Sequence, residues 1–256
     1  MRELLDAVGR SKVPCLSIMN MPPPPYLKRI RGLNTHVMKS AYSDPTVWGN
    51  FDPLLISLCS ADPQAVRLPE KVNVLQVTLA TNFKAAAFES DEHTALLRQL
   101  ASDIEAIRYD LGDGEVELPV KLKVHQSIFT PLAKWAMLLT GNYRCVTPNG
   151  AISIRDAVHS DLETSRSVYD FVRDLCLKLG AAPDDLVPFD KYAAAAESLI
   201  RPSSTARALT AGAPYIERAD RLVQLIAAQK DMRHPVIDAT VALVSEVLSR
   251  NRQAVA

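Results

Sequence analysis

Glycine is scarce in this chain, nine residues in 256, and it never falls into the pattern G-x-G-x-x-G. The sequence therefore lacks the loop through which a strand–turn–helix unit approaches a dinucleotide pyrophosphate, and it has no P-loop for a nucleoside triphosphate. The four cysteines, Cys15, Cys59, Cys145 and Cys176, lie far apart with no C-x-x-C pair. That spacing argues against a disulfide framework or a zinc site and fits reduced, buried thiols. There is no H-E-x-x-H, and the five histidines are scattered, so the expected metal set is none. No G-x-S-x-G marks a nucleophile elbow.

Net charge is also missing. Lys plus Arg and Asp plus Glu both number 29. Broad nucleic-acid binding needs an excess of cations over phosphates, so no nucleic-acid partner is expected. The densest basic stretch, Leu27 to Arg31, reads as a solvated turn. No apolar run approaches the roughly 20 residues of a membrane span. Met1 to Arg10 is charged and amphipathic, without the layout of a signal peptide. A cytoplasmic protein without a membrane partner is the expectation.

What is present is ordinary globular material, 48% hydrophobic and 23% charged. Residues 2–9 read as a short helix ended by Gly9, and Val13 to Met19 as a buried strand. Asn20-Met21-Pro22-Pro23-Pro24-Pro25 then reads as a stiff, extended loop. It is either a ligand-contacting loop at a strand end or a surface connector. Asp-Pro pairs at 44–45, 52–53 and 62–63 predict turns. Strands are expected over 72–78 and 83–88, and an amphipathic helix over 92–107 with Leu96, Leu100, Ile104 and Ile107 on one side.

Residues 110–114 read as a turn at a domain boundary. From Val120 onward the spacing of Val124, Ile128, Leu132, Trp135 and Leu139 predicts a helix kinked at Pro131. Further helices are expected over 153–179 with Gly180 as C-cap, after Asp190, over 204–211, over 216–230 and over 235–250. Asp91-Glu92-His93 reads as dipole-matched capping rather than a site.

One stretch carries chemistry. Glu117-Leu118-Pro119-Val120-Lys121-Leu122-Lys123-Val124-His125 places Lys121 and His125 on one face. It resembles the E-L-W-x-K-L-x-x-N run of the ketopantoate reductases, with Pro119 for the tryptophan and His125 where the first asparagine stands. The family's N-P-L corresponds to Thr130-Pro131-Leu132, one residue further on. Arg201-Pro202-Ser203-Ser204 and Ala211-Gly212-Ala213-Pro214-Tyr215-Ile216-Glu217 resemble its S-S-x-x-x-D … G-R-x-T-E-I-D run. At the front, Val13 to Asn20 resembles the end of its nucleotide domain, with Met21 replacing a glycine.

The resemblance implies an incomplete Rossmann-like α/β portion over 1–115, lacking the Gly-rich loop. An all-α C-terminal domain over 116–256 follows, a helical bundle like that of 6-phosphogluconate dehydrogenases. It implies NADPH-dependent reduction of a 2-keto acid to a 2-hydroxy acid. Lys121 would be the general acid, with Lys123 left open as its rival. Glu217 would hold a substrate hydroxyl or orient the lysine, Ser203 and Ser204 would bind the substrate carboxylate, and His125 would serve as donor and acceptor. Asn20 would touch cofactor or substrate.

Each has a structural alternative: Lys121 snorkelling, Ser203 and Ser204 capping, Glu217 pairing with Arg221, and His125 as an ordinary helix residue. Because the Gly-rich turn is missing, the chain is expected to be a fragment or mis-started form of a longer reductase, or a member that no longer catalyses. The competing function is a non-catalytic helical interaction module that self-associates, for instance as a homodimer.

Overall fold

The computed structural model describes residues 2–60, 65–68, 70–77, 81–110 and 112–255. The chain forms two units, Met1–Arg29 with Asn50–Pro131, and Ile30–Gly49 with Leu132–Ala256.

The first unit is the α/β portion. Helix α1 (Arg2–Ser11) runs through Gly9, which does not end it. Gly9 is buried, and a Cβ there would stand 3.0 Å from the Asn50 Cβ. Strand β1 (Cys15–Ile18) follows, then the proline run. Its prolines are not a surface connector: Pro22, Pro23 and Pro25 are buried, and Pro24 opens the short helix α2 (Pro24–Leu27). Proline suits a first helical turn because that N–H has no intrahelical partner. The turn buries Tyr26 and Leu27 completely. Tyr26 donates its hydroxyl to Ile128 O at 2.6 Å, while Arg29 donates to the carbonyls of Ile56 and Ala87.

Strand β2 (Ile56–Ser60) is followed by the hairpin of β3 (Ala65–Leu68) and β4 (Lys71–Val77), then by β5 (Thr81–Ala86) and helix α3 (Asp91–Ala106). The two strands expected over 72–88 are thus present, but β4 pairs with β3 and β5 joins the main sheet. Ser90 caps α3 through its side chain on the His93 N–H. Strands β6 (Arg108–Asp110) and β7 (Glu115–Glu117) form a hairpin, and β8 (Val120–His125) follows. Gly112 and Gly114, both at positive φ, turn that hairpin, and residues 115 and 116 lie in β7 of the first unit. Leu111, and the Asp62-Pro63 pair, lie outside the described residues.

The sheet order is β1-β2-β5-β8, with β1 parallel to β2, β2 antiparallel to β5 and β5 parallel to β8. Cys59, Ala85, Phe88 and Leu97 form its core cluster, joined by Leu16, Phe83, Leu122 and Val124. The expected inner stripe of α3 faces outward instead: Leu96 and Leu100 are exposed, and the helix buries Thr94 and Leu97.

The second unit is mainly helical. Residues 30–49 contribute 3-10 turns at Thr35–Ala41 and Pro45–Trp48, capped by Asn34 and Asp44. A third, Pro53–Leu55, lies in the first unit and is capped by Asp52. The Asp-Pro turns at 44–45 and 52–53 therefore have a cause: the aspartate caps and the proline starts. Helix α4 (Lys134–Met137) runs into a π turn, Leu138–Asn142. Then come the hairpin of β9 (Val146–Thr147) and β10 (Gly150–Ala151), α5 (Ile154–His159), α6 (Leu162–Leu179), α7 (Phe189–Ala196), α8 (Ser204–Thr210), α9 (Ala219–Ala228) and α10 (Pro235–Ala254).

The helix expected over 153–179 is two helices. Ser153 caps α5, and Asp161 caps α6 by accepting the Thr164 N–H, which breaks the run at Ser160. Gly180, at φ 113, ends α6 as expected. Trp135, Leu139, Tyr169, Leu175, Leu222 and Ile226 are fully buried at the centre of this unit. Ile237, Val241, Val244 and Leu248 line the buried stripe of α10. Among the described residues no helix is long and apolar enough to cross a membrane.

Candidate functional site

Lys121 does not stand on a helix. Residues 120–125 are a strand, paired residue for residue with β5, Asn82 opposite Lys121 and Ala86 opposite His125. β8 is one of the sheet's two edge strands and packs Leu122 and Val124 against the core cluster. Its alternate residues, Lys121, Lys123 and His125, share the other set of positions, so Lys121 and His125 still lie on one face. The Lys121 ammonium is 3.4 Å from Glu105 Oε1 and 3.9 Å from Glu117 Oε2, with its side chain about half exposed. Two carboxylates therefore hold it at the surface, in pairs that solvent screens. His125 is partly buried, and its carbonyl accepts the Ala87 N–H at 2.7 Å.

Asn20 lies just past the end of β1 and is exposed, while Met21 beside it is buried. β1 and β8 occupy opposite edges of the sheet with two strands between them. At about 4.8 Å per strand, Asn20 and Lys121 are separated by roughly 14 Å across the sheet. The first unit does not bring them into contact.

In the second unit, Ser203 is the N-cap of α8. Its hydroxyl accepts the Ala206 N–H at 3.1 Å and donates to Asn142 O at 2.6 Å, and the residue is buried. Ser204 is exposed at the first position of α8. Glu217 does not pair with Arg221, whose guanidinium instead donates to Gln224. Both Glu217 carboxylate oxygens accept the Ser43 N–H, at 3.4 and 3.3 Å. Partial burial pushes the Glu217 carboxyl above the ordinary carboxylate range, the Ser43 hydrogen bond opposes that shift, and Asp44 adds to it.

Behind Glu217 the backbone is rigidly held. The Tyr143 hydroxyl donates to Glu217 O and accepts the Ala219 N–H, while Arg218 grips Asp220 through two hydrogen bonds of 2.8 and 2.7 Å. Sequence reasoning missed Ser43 and Tyr143. Both act through backbone groups or at long range in the chain, where no local pattern marks them.

Behind β1 the described residues offer no pyrophosphate cradle of the glycine-turn kind. A pyrophosphate needs bare backbone amides at a helix N-terminus behind a glycine turn. After β1 this chain has Met21 and four prolines, and proline has no N–H to offer. The helix that follows has only four residues. Among the described residues, no three His, Cys, Asp or Glu side chains group to hold a metal ion.

No protein-family model matches the sequence, and no curated protein matches it. Solved structures do match its fold. A D-mandelate dehydrogenase bound to NADH and anilino(oxo)acetate superposes with a TM-score of 0.62 at 11% identity, covering 98% of this chain and 74% of that one. The PanE/ApbA family ketopantoate reductase of Ralstonia eutropha JMP134 gives 0.56 at 13% identity, over 93% of this chain and 67% of that one. The 2-dehydropantoate 2-reductase of Methylococcus capsulatus gives 0.55 at 14% identity, over 77% of this chain and 59% of that one. An α/β sheet portion and a helical portion, matched along 98% and 93% of the chain in the first two, make up the fold of the ketopantoate reductases.

Proposed function

We propose that the chain is a ketopantoate reductase-like oxidoreductase that reduces a 2-keto acid to a 2-hydroxy acid, with NADPH as its reductant. The observation that carries this reading is the fold likeness across 98% of the chain to a dehydrogenase whose bound ligand is itself a 2-oxo acid derivative. Reduction of a ketone leaves an alkoxide oxygen, which needs a neighbouring positive charge and a proton. Lys121 offers both: by the resemblance of the run around it, it would take the part of the family's lysine, it lies on a strand, and its ammonium is reachable from solvent.

In the same reading Ser204, exposed, is available for a substrate carboxylate. Ser203 serves chiefly to hold the α8 terminus that presents Ser204. Glu217 holds a substrate hydroxyl, His125 supplies a donor or acceptor on the Lys121 face, and Asn20 touches cofactor or substrate.

A second reading is a non-catalytic helical interaction module that associates as a homodimer.

Titration of NADPH fluorescence with the full chain, followed by a 2-keto acid turnover screen, separates the two. Saturable NADPH binding and turnover that falls at least ~100-fold in Lys121→Ala support the reductase. No cofactor binding, with concentration-dependent association in sedimentation, leaves the interaction module.

A further inference from the structure

Within the second unit, α6, α9, α10 and the turn 229–234 line a half-open cavity of about 300 Å³. Its polar lining is Arg221, Gln224, Arg233, His234 and Asp238. Phe171, Leu225, Met232 and Ile237 supply an apolar wall. This volume lies at the small end of the range for ligand sites, and an apolar wall with a few convergent polar groups is their usual make-up. None of Lys121, Ser203, Ser204 or Glu217 lines it.

The polar groups leave an unbalanced positive charge. Arg221 donates to the Gln224 side-chain oxygen at 2.7 Å, and the Gln224 amide in turn donates to the Asp238 carboxylate. That relay occupies Asp238 with a neutral partner. Among the described residues neither Arg221 nor Arg233 has an acid within ion-pair distance. Two guanidiniums against one carboxylate leave one net positive charge at the cavity.

The start of α10 adds to it. His234 is the N-cap residue and makes no side-chain cap bond, and Pro235 has no N–H. The first-turn amides of Val236 and Ile237 therefore have no intrahelical acceptor, and the helix dipole favours an anion there.

His234, which lines the cavity, adds a further polar group. Its ring packs against Phe171 at 5.2 Å between centroids, and its Nε2 is 3.1 Å from the Ser167 hydroxyl. Its Nδ1 is buried with no hydrogen-bond partner among the described residues. A buried polar atom without a partner is costly unless something fills the space beside it. Burial also draws the His234 pKa below its ordinary 6.5, against the opposing pull of Asp238.

From these features we infer that the cavity binds a small organic monoanion, a carboxylate carrying an apolar group. The guanidinium fork matches a carboxylate in geometry. One net positive charge matches a monoanion, and Asp238 opposes a phosphate dianion. Phe171, Leu225 and Ile237 take the apolar group.

The test is a calorimetric and NMR titration of the full chain with phenylacetate, beside benzyl alcohol and inorganic phosphate. Saturable phenylacetate binding is expected, with shifts centred on Met232, His234 and Ile237. Benzyl alcohol and phosphate should each bind at least tenfold more weakly. Arg221→Gln with Arg233→Gln should weaken phenylacetate at least tenfold. Ala228→Trp, at an exposed lining position, should abolish binding by filling the cavity while the chain still melts as the parent does. No saturable phenylacetate binding, binding unchanged by Ala228→Trp, or phosphate binding as tight as phenylacetate overturns the inference.

Discussion

Gly141 and Tyr192 approach each other so closely that a methyl group on Gly141 would overlap the Tyr192 hydroxyl. Gly141 sits in the π turn after α4, and the Tyr192 hydroxyl donates to Met137 O at 3.2 Å in the preceding turn. Tyr192 also stacks on Tyr169, at 5.4 Å between ring centroids, so the hydroxyl has little room to retreat. Gly141→Ala should therefore destabilise the chain by about 1–3 kcal/mol, the ordinary range for an overpacked core. A urea unfolding curve measures it, and Tyr192→Phe in the same background should recover part of the loss.

Ser203 and Ser204 separate a capping role from a ligand role. Ser203→Ala removes a cap and leaves Asn142 O without its buried donor. It should lower stability by about 1–2 kcal/mol. Ser204→Ala, at an exposed position, should change stability by less than ~0.5 kcal/mol. If Ser204 binds a substrate carboxylate, its variant raises KM for the 2-keto acid while the melting temperature stays put.

Asp220 is fully buried and its charge is answered by Arg218, itself 7% exposed. Removing one partner leaves the other charge stranded, which costs about 3–5 kcal/mol. Asp220→Asn should show that loss in denaturant unfolding. Arg218→Met combined with Asp220→Leu should lose much less, because no unpaired charge remains.

Glu217 sets a pH dependence of stability. Its carboxyl is raised above the usual 4.5 in the folded chain, chiefly by burial. The folded state then holds the proton more tightly than the unfolded state, so stability falls as pH rises from 4.5 through the raised value. Below 4.5 the protonated carboxyl keeps its full contribution. Glu217→Gln should flatten that part of the stability curve, read as urea midpoints between pH 4 and pH 7.

Periodicity showed the helices well where caps agreed with it: α6 at its Gly180 end, and α8 with Ser203 and α10 with Pro235 over the expected spans. It failed at β8. Val124, Ile128, Leu132, Trp135 and Leu139 repeat every three or four residues, but Val124 belongs to a strand, Leu132 to a 3-10 turn, Trp135 to an α turn and Leu139 to a π turn. A spacing of four is even, so it keeps one face in a strand as well as in a helix. For the same reason the shared face of Lys121 and His125 was legible although its element was not. Glu217 was legible only through the family-like run around it. The groups that hold it, Ser43 N–H and the Tyr143 hydroxyl, come from segments 174 and 74 residues away in the chain.

Residues 30–49 belong to the second unit although they precede most of the first. Their partners are made last: Arg218 N–H bonds to Ala41 O, and Gln229 accepts the Asn34 N–H. During synthesis at about 5–20 residues per second, Ala41 would wait on the order of 10–40 s for Arg218 to emerge. The first unit can close over that interval while its own middle segment stays looped out. The order of manufacture thus leaves the helical unit to finish late, around a strand of chain that was translated early and held in reserve.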